Sequence, residues 1–293
     1  MTSWSNVHLM FCEGAHDAAA IKLLLRKSLG FSQESLKVSD FPYPVSNVIK
    51  QSFKTRASED LRLDLAKKFF LPDFVVSRDS VLVMIFNYGG SNRSQHMTPF
   101  LENVFTLLNA PEFSTSANSN VEVRFSYTVF ADADDIGIVR ARERISSEFG
   151  QINSSPWLTR TWTAIENTKA VMQPSVFGPV AAYIWSKWAE DNGTLEDCLL
   201  ECFVGRDRFD TTLEFIDSRF NWTPGEDATS DEICATASKR LKAAFCVEGQ
   251  YKKPGGSLSV ILDQGELLNL DSFGRSNAIQ DCLRFLNTWL VVT

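Results

Sequence analysis

Residues 121–135 read VEVRFSYTVFADADD, and the reading of this stretch decides the fold. It alternates apolar and polar residues at first and closes on an apolar end, the pattern of a strand that runs into a sheet buried on both faces. The strand stops by delivering Asp132, Asp134 and Asp135 together. A helix is expected next, over 138–149. A buried strand, an abrupt polar edge and a helix together make one α/β unit.

Working outward, two more units of the same kind precede it. Residues 7–12 (VHLMFC) form a short apolar strand stopped by Glu13-Gly14. A helix over 17–29 follows, with Ala18, Ile21, Leu24, Leu25 and Leu29 at helical spacing and Gly30 closing the run. Residues 81–86 (VLVMIF) are a second apolar strand, ending in Asn87-Tyr88-Gly89-Gly90, and a helix over 98–108 has Pro99 near its first turn. Three such units in a row predict a mostly parallel sheet with helices on its faces. Residues 31–79 read differently: Pro42 and Pro44 break the chain, and a charged stretch over 54–68 carries Leu61, Leu65 and Phe69 at four-residue steps. They are expected to be an inserted, mostly helical segment outside the sheet. Further strands are expected over 160–166 and 180–185, a helix capped by Thr194 through Cys202, and helices over 232–246 and 276–290. The expected organisation is a core over 1–200 and a helical C-terminal extension over 201–293 packed on it.

The whole-chain numbers agree with an ordered α/β protein. Of 293 residues, 44% are hydrophobic and 22% charged, and 22 Phe with 7 Trp can fill a substantial interior. A formal net charge of −7 argues against coating nucleic acid by charge alone. It leaves room for an enzyme that grips phosphates through bound cations, since acidic ligands add to the negative balance. The six cysteines have no paired zinc spacing and read as free thiols. The N-terminal residues lack a basic leader region and no apolar run reaches the roughly 18 residues of a membrane span, so a cytoplasmic protein without a membrane is expected.

In an open parallel sheet, ligands bind at the carboxyl ends of the strands. Glu13, Gly89-Gly90 and Asp132 with Asp134 each hold that position on a different strand, so one sheet edge should collect all three. Glycines there let a backbone approach a ligand closely. Carboxylates at i and i+2 leaving a strand can straddle one cation, and hard oxygen donors without His or Cys favour Mg²⁺ or Mn²⁺. Each element alone also has a plainer reading: Glu13-Gly14 as a turn, the aspartates as caps of the following helix, the glycine pair as a loop. Their ordered recurrence on successive strand ends separates the two, because carboxylates crowded at one edge repel unless a cation or protons offset them.

The order apolar strand–Glu13-Gly14-x-x-Asp17, apolar strand–Gly89-Gly90, apolar strand–Asp132-x-Asp134 resembles the Toprim domain, the metal-dependent phosphotransfer fold of topoisomerases, bacterial primases and OLD-family nucleases. It is most similar to OLD-type and related stand-alone Toprim proteins, through the Gly193–Asp197 segment and the Lys239–Lys242 helix followed by Pro254–Ser257. The resemblance implies a Toprim-like, Rossmann-like fold and a nuclease that hydrolyses DNA or RNA with two metal ions, in a bacterial defence or toxin setting. It implies Glu13, Asp17, Asp132, Asp134 and Glu196 as metal ligands. Glu13 would also serve as general base, and Lys242 or Lys239 would stabilise charge on the phosphate. Unlike in the OLD proteins, no ATPase domain is expected before this one, so an ATPase, if the family's is involved at all, would be a separate chain, and an oligomer is compatible with the sequence. A regulatory or scaffold subunit beside such an ATPase is the competing reading, and a glycosyltransferase using Asp-x-Asp a third. Lys239, Arg240, Lys242, Lys252 and Lys253 form the one notable basic region, either a solvated face or a groove for nucleic acid in which Gly89 and Gly90 would share. His16 and His96 lie near the proposed edge, His8 reads as structural, and Trp185, Trp188 and Trp222 read as core residues or base-stacking candidates.

Overall fold

The computed structural model describes residues 4–57, 70–89, 94–109, 123–152, 155–159, 161–165, 168–203 and 207–292. In chain order these residues form β1 (Asn6–Cys12), α1 (Ala15–Ser28), β2 (Ser32–Gln33), α2 (Val45–Ala57), β3 (Phe74–Arg78), β4 (Val81–Asn87), α3 (Ser94–Leu108), β5 (Arg124–Asp132) and α4 (Gly137–Phe149). The short strands β6 (Gln151–Ile152), β7 (Ser155–Pro156), β8 (Thr163–Ala164) and β9 (Val171–Gln173) precede β10 (Val180–Trp185). Helices follow: α5 (Leu195–Glu201), α6 (Asp207–Arg219), α7 (Ser230–Gln250), α8 (Leu258–Gln264), α9 (Leu270–Phe273) and α10 (Asn277–Val292).

The main sheet has eight strands in the order β2-β3-β4-β1-β5-β10-β9-β8. Its four central strands, β4, β1, β5 and β10, are parallel, while β2 and β3 on one side and β9 and β8 on the other are antiparallel. The protein is therefore α/β with a mixed sheet around a parallel centre. Period-two alternation sorts the side chains of β1: Met10 and Cys12 join one core, Val7, Leu9 and Phe11 the other. The first core packs under α1, α5, α7, α8 and α10, with Leu24, Tyr183, Trp185, Phe245 and Phe285 at its centre. The second packs under α2, α3 and α4, with Val48, Leu101, Phe105 and Ile145. The residues beyond 200 thus share a continuous interior with the sheet. Lys22 of α1, 1% exposed, adds a 2.6 Å ion pair to Asp263 of α8 and lies 4.3 Å over the Phe74 ring.

One expectation needs correcting. Residues 31–79 are not only a helical insertion outside the sheet, because they contribute β2 and β3, and β3 pairs with β4 from Phe74↔Ile85 to Arg78↔Val81. Asp79-Ser80 make a two-residue hairpin loop, with Asp79 at φ +54° in the left-handed region such a tight turn demands. Of the charged stretch over 54–68, residues 54–57 end α2, and the rest, with Leu61, Leu65 and Phe69, lies outside the described residues. Helix α3 also starts earlier than expected, which leaves Pro99 inside it. Among the described residues no helix is long and apolar enough to cross a membrane.

Candidate functional site

The parallel centre of the sheet sends the ends of β4, β1, β5 and β10 to one edge, and the acidic residues collect there. Glu13 follows β1 directly, and Asp17 sits in the first turn of α1, 4% exposed. Gly14 makes the turn fit, since a Cβ there would lie 2.8 Å from Asp17 Oδ2 and 2.8 Å from His16 Cε1. Asp132 ends β5. Asp134, at φ +49°, exchanges two 2.9 Å backbone hydrogen bonds with Gly193, whose own φ is +118°. A side chain at Gly193 would lie 2.8 Å from the Lys187 nitrogen, so the glycine lets this loop close onto β5.

That clasp delivers α5. Thr194 and Asp197 form its capping box, and the Leu195 N–H donates to Asp132 Oδ1 at 2.8 Å. The helix after β5, α4, has Ile136 at its N-cap and no side-chain cap, so the aspartates do not serve the helix that follows them. One residue past Leu195, Glu196 is fully buried. His16 Nε2 lies 3.0 Å from Glu196 Oε1 and Lys242 Nζ lies 3.5 Å from the same atom, while Ser238 donates to Oε2 at 3.1 Å. Oε1 receives no aligned hydrogen bond, so its contacts are those of an ion pair. Ser238 and Lys242 are one turn apart on α7 and share a face. Cys234, a turn earlier, feels the charges of Asp134, Asp197, Asp135 and Asp132, and with burial as the larger cause its thiol is pushed up to about 11. Helix α7 therefore runs across the acidic edge.

Electrostatics shows how tightly the carboxylates crowd. Asp132, half-buried, is held well above the usual carboxylate range, by burial first and then by Asp17, Glu196, Glu13 and Asp134. Asp17 is pushed up to about 6, mainly by burial with Glu196 adding, against the counter-effects of His16, Lys242 and the Gly14 amide. Burial also opposes ionisation of Glu196, but His16 and Lys242 overcome it and hold the carboxyl below its ordinary value. His16 is raised in turn: burial works against its charge, and Glu196 and Asp17 outweigh it. Arg144 of α4 completes the set, with Nη2 3.3 Å from Glu13 Oε1 and Nη1 3.6 Å from Asp134 Oδ2.

All five carboxylates read from the sequence thus stand at one edge, with Arg144 and Lys242 beside them. Among the described residues no three His, Cys, Asp or Glu groups stand close enough, as placed, to hold one ion. The all-oxygen donor set nevertheless suits a hard divalent cation in kind, and such a cation would compete with Arg144 and His16 for their carboxylates.

The other expected residues scatter more. Gly89, at φ +67°, ends the β4 loop and donates to Asn87 Oδ1 at 2.9 Å; Gly90 lies outside the described residues. Lys239 is exposed and sits about 100° around α7 from Ser238. Lys252 and Lys253 lie in the turn beyond the end of α7, where both N–H groups donate to the Gly249 carbonyl at 3.0 Å. Lys252 and Arg208 both approach the exposed Tyr251 ring, at 6.0 and 4.9 Å. His8 is buried against the Ser126 hydroxyl, and burial pushes it down to about 3, which makes it a neutral core residue. His96 falls on α3. Trp185 is a core residue.

Sequence reasoning missed Arg144, Ser238, Cys234 and Asp73. Asp73 precedes β3 at the same sheet edge and accepts from the Asn87 N–H at 2.9 Å. The hairpin turn at Asp79-Ser80 could have revealed it, and the four-residue spacing of Cys234, Ser238 and Lys242 could have revealed the α7 face.

No protein-family model and no curated protein matches this chain. Among solved structures, a hypothetical protein from Pyrococcus horikoshii OT3 aligns over 96% of this chain and 99% of its own, at 15% identity and a TM-score of 0.46, a similarity too low to carry an argument about fold or function.

Proposed function

We propose that this protein is a Mg²⁺- or Mn²⁺-dependent nuclease with a Toprim-like core, hydrolysing phosphodiester bonds of DNA or RNA. The observation that carries the reading is the setting of Asp132. It ends a central parallel strand among Glu13, Asp17, Asp134 and Glu196, and their charges add to burial in opposing its ionisation. Such crowding is stable in ionised form only beside added positive charge, and oxygen donors select a hard cation. When bound, one or two such ions would lower the pKa of a water and offset charge on phosphate oxygens.

The chain's own residues divide the remaining work. Buried Asp17 and Glu196, with Asp132, hold the centre of the site. Glu13, at the strand end, would take a proton from water. Lys242 keeps a 37% exposed side chain beside Glu196 and can reach an incoming phosphate. Lys239, Lys252 and Lys253 would follow the nucleic-acid backbone further out. A second reading, a regulatory Toprim subunit acting with a separate ATPase, draws on the exposed apolar side chains Phe215, Phe220 and Ile233 of α6, its C-terminal end and α7.

Incubating the purified chain with single- and double-stranded DNA and RNA, in Mn²⁺ or in EDTA, separates the two. The nuclease reading expects cleavage in Mn²⁺, lost in EDTA and in Glu13→Ala or Asp132→Ala. Full activity in both variants sinks the assignment, and metal-dependent binding without cleavage favours the regulatory subunit.

A further inference from the structure

Arg144 stands out within the acidic edge because it bridges the ends of two strands. Its Nη2 approaches Glu13, after β1, and donates to the Asp132 carbonyl at 3.4 Å; its Nη1 approaches Asp134, after β5. The grip is loose. The carboxylate distances, 3.3 and 3.6 Å, exceed the roughly 2.7–2.9 Å of a strong charge-assisted bond. Its Nε is buried with no hydrogen-bond partner, while the side chain as a whole remains 27% exposed. A guanidinium locked as a structural strut would use its planar fork fully. This one leaves a donor idle and keeps a route to solvent.

We infer that Arg144 is a displaceable counter-ion: it holds Glu13 and Asp134 together in the metal-free protein and leaves them when a divalent cation enters. The inference rests on the metal-site reading above. It makes Arg144 a positioning residue, fixing the two ligand-bearing strand ends while they are empty. It also carries a cost in affinity, because an entering ion must first displace the arginine, and the apparent affinity falls by the population of the displaced state.

Mn²⁺ titration by calorimetry, with thermal melting in EDTA and in Mn²⁺ as a second readout, tests this on the full chain. Arg144→Gln removes the charge and is expected to bind Mn²⁺ about tenfold more tightly than wild type. It should also melt lower in EDTA and gain more from Mn²⁺. Arg144→Lys keeps the charge but loses the fork, and should fall between, at about threefold. Equal or weaker Mn²⁺ affinity in either folded variant overturns the inference while leaving the metal site standing. Absence of Mn²⁺ binding in wild type and both variants overturns the inference and the metal reading together.

Discussion

Asp17→Asn should make the metal-free protein less sensitive to rising pH. Asp17 is 4% exposed and its carboxyl is pushed up from an ordinary 3.8 to about 6, by burial first and by Glu196. A carboxyl with a folded pKa above its unfolded one holds its proton more tightly in the folded state. The stability this contributes is fully present below pH 3.8 and is lost as pH rises through about 6. At roughly 1.36 kcal/mol per pH unit, the difference amounts to about 3 kcal/mol. His16, raised above its ordinary 6.5, adds loss of the same sign at higher pH, and Glu196, held below 4.5, contributes the opposite sign at lower pH. Asp132 shares the sign of Asp17, and because the Asp17 charge helps raise both Asp132 and His16, the difference between the two proteins reports Asp17 together with its effect on those neighbours. Urea denaturation in EDTA from pH 3 to 7.5 should show similar stabilities below pH 3.8 and a gap that opens as pH rises from there through about 6. At the upper end wild type should be less stable than Asp17→Asn by about 3 kcal/mol, or roughly 5–10 °C in melting temperature. Parallel pH curves for the two proteins would refute the reasoning.

Gly14→Ala forces a Cβ to within 2.8 Å of Asp17 Oδ2, so urea denaturation should show a loss of about 1–2 kcal/mol, and an unchanged midpoint would mean the turn relaxes freely. Lys22→Met leaves Asp263 without its 2.6 Å partner and should cost about 3 kcal/mol, most of it recovered in the double variant with Asp263→Leu, as read in a double-mutant cycle. Lys252→Glu with Lys253→Glu should weaken nucleic-acid binding in fluorescence anisotropy and reduce the salt slope by about 2; an unchanged slope assigns these lysines to a solvated face.

The parallel centre of the sheet was legible because β1 and β4 are nearly continuous apolar runs and β5 closes on one, each ending abruptly in polar residues, and sheet register then carries Glu13 and Asp132 to one edge. Helix α7 was legible in outline, its start now fixed by the Thr229–Glu232 capping box. Strand β3 was not, because Phe74–Arg78 follows a charged stretch and its hairpin partner lies across a two-residue loop with no glycine. Arg144 carries no local signal at all: an arginine on an amphipathic helix reads as a solvated charge until the fold turns that helix toward the strand ends. Glu196 and Lys242 entered through family resemblance, and the pair they form depends on α5 and α7 packing side by side, a long-range contact no spacing encodes.

Crystals soaked in Mn²⁺ and measured for anomalous scattering test the central claim most directly. The account predicts one or two peaks at the acidic edge, about 2 Å from oxygens of Asp132 and its neighbours Glu13, Asp134 or Glu196, with the Arg144 guanidinium moved off Glu13. An edge free of anomalous signal at saturating Mn²⁺, with Arg144 still against Glu13 and Asp134, would contradict it.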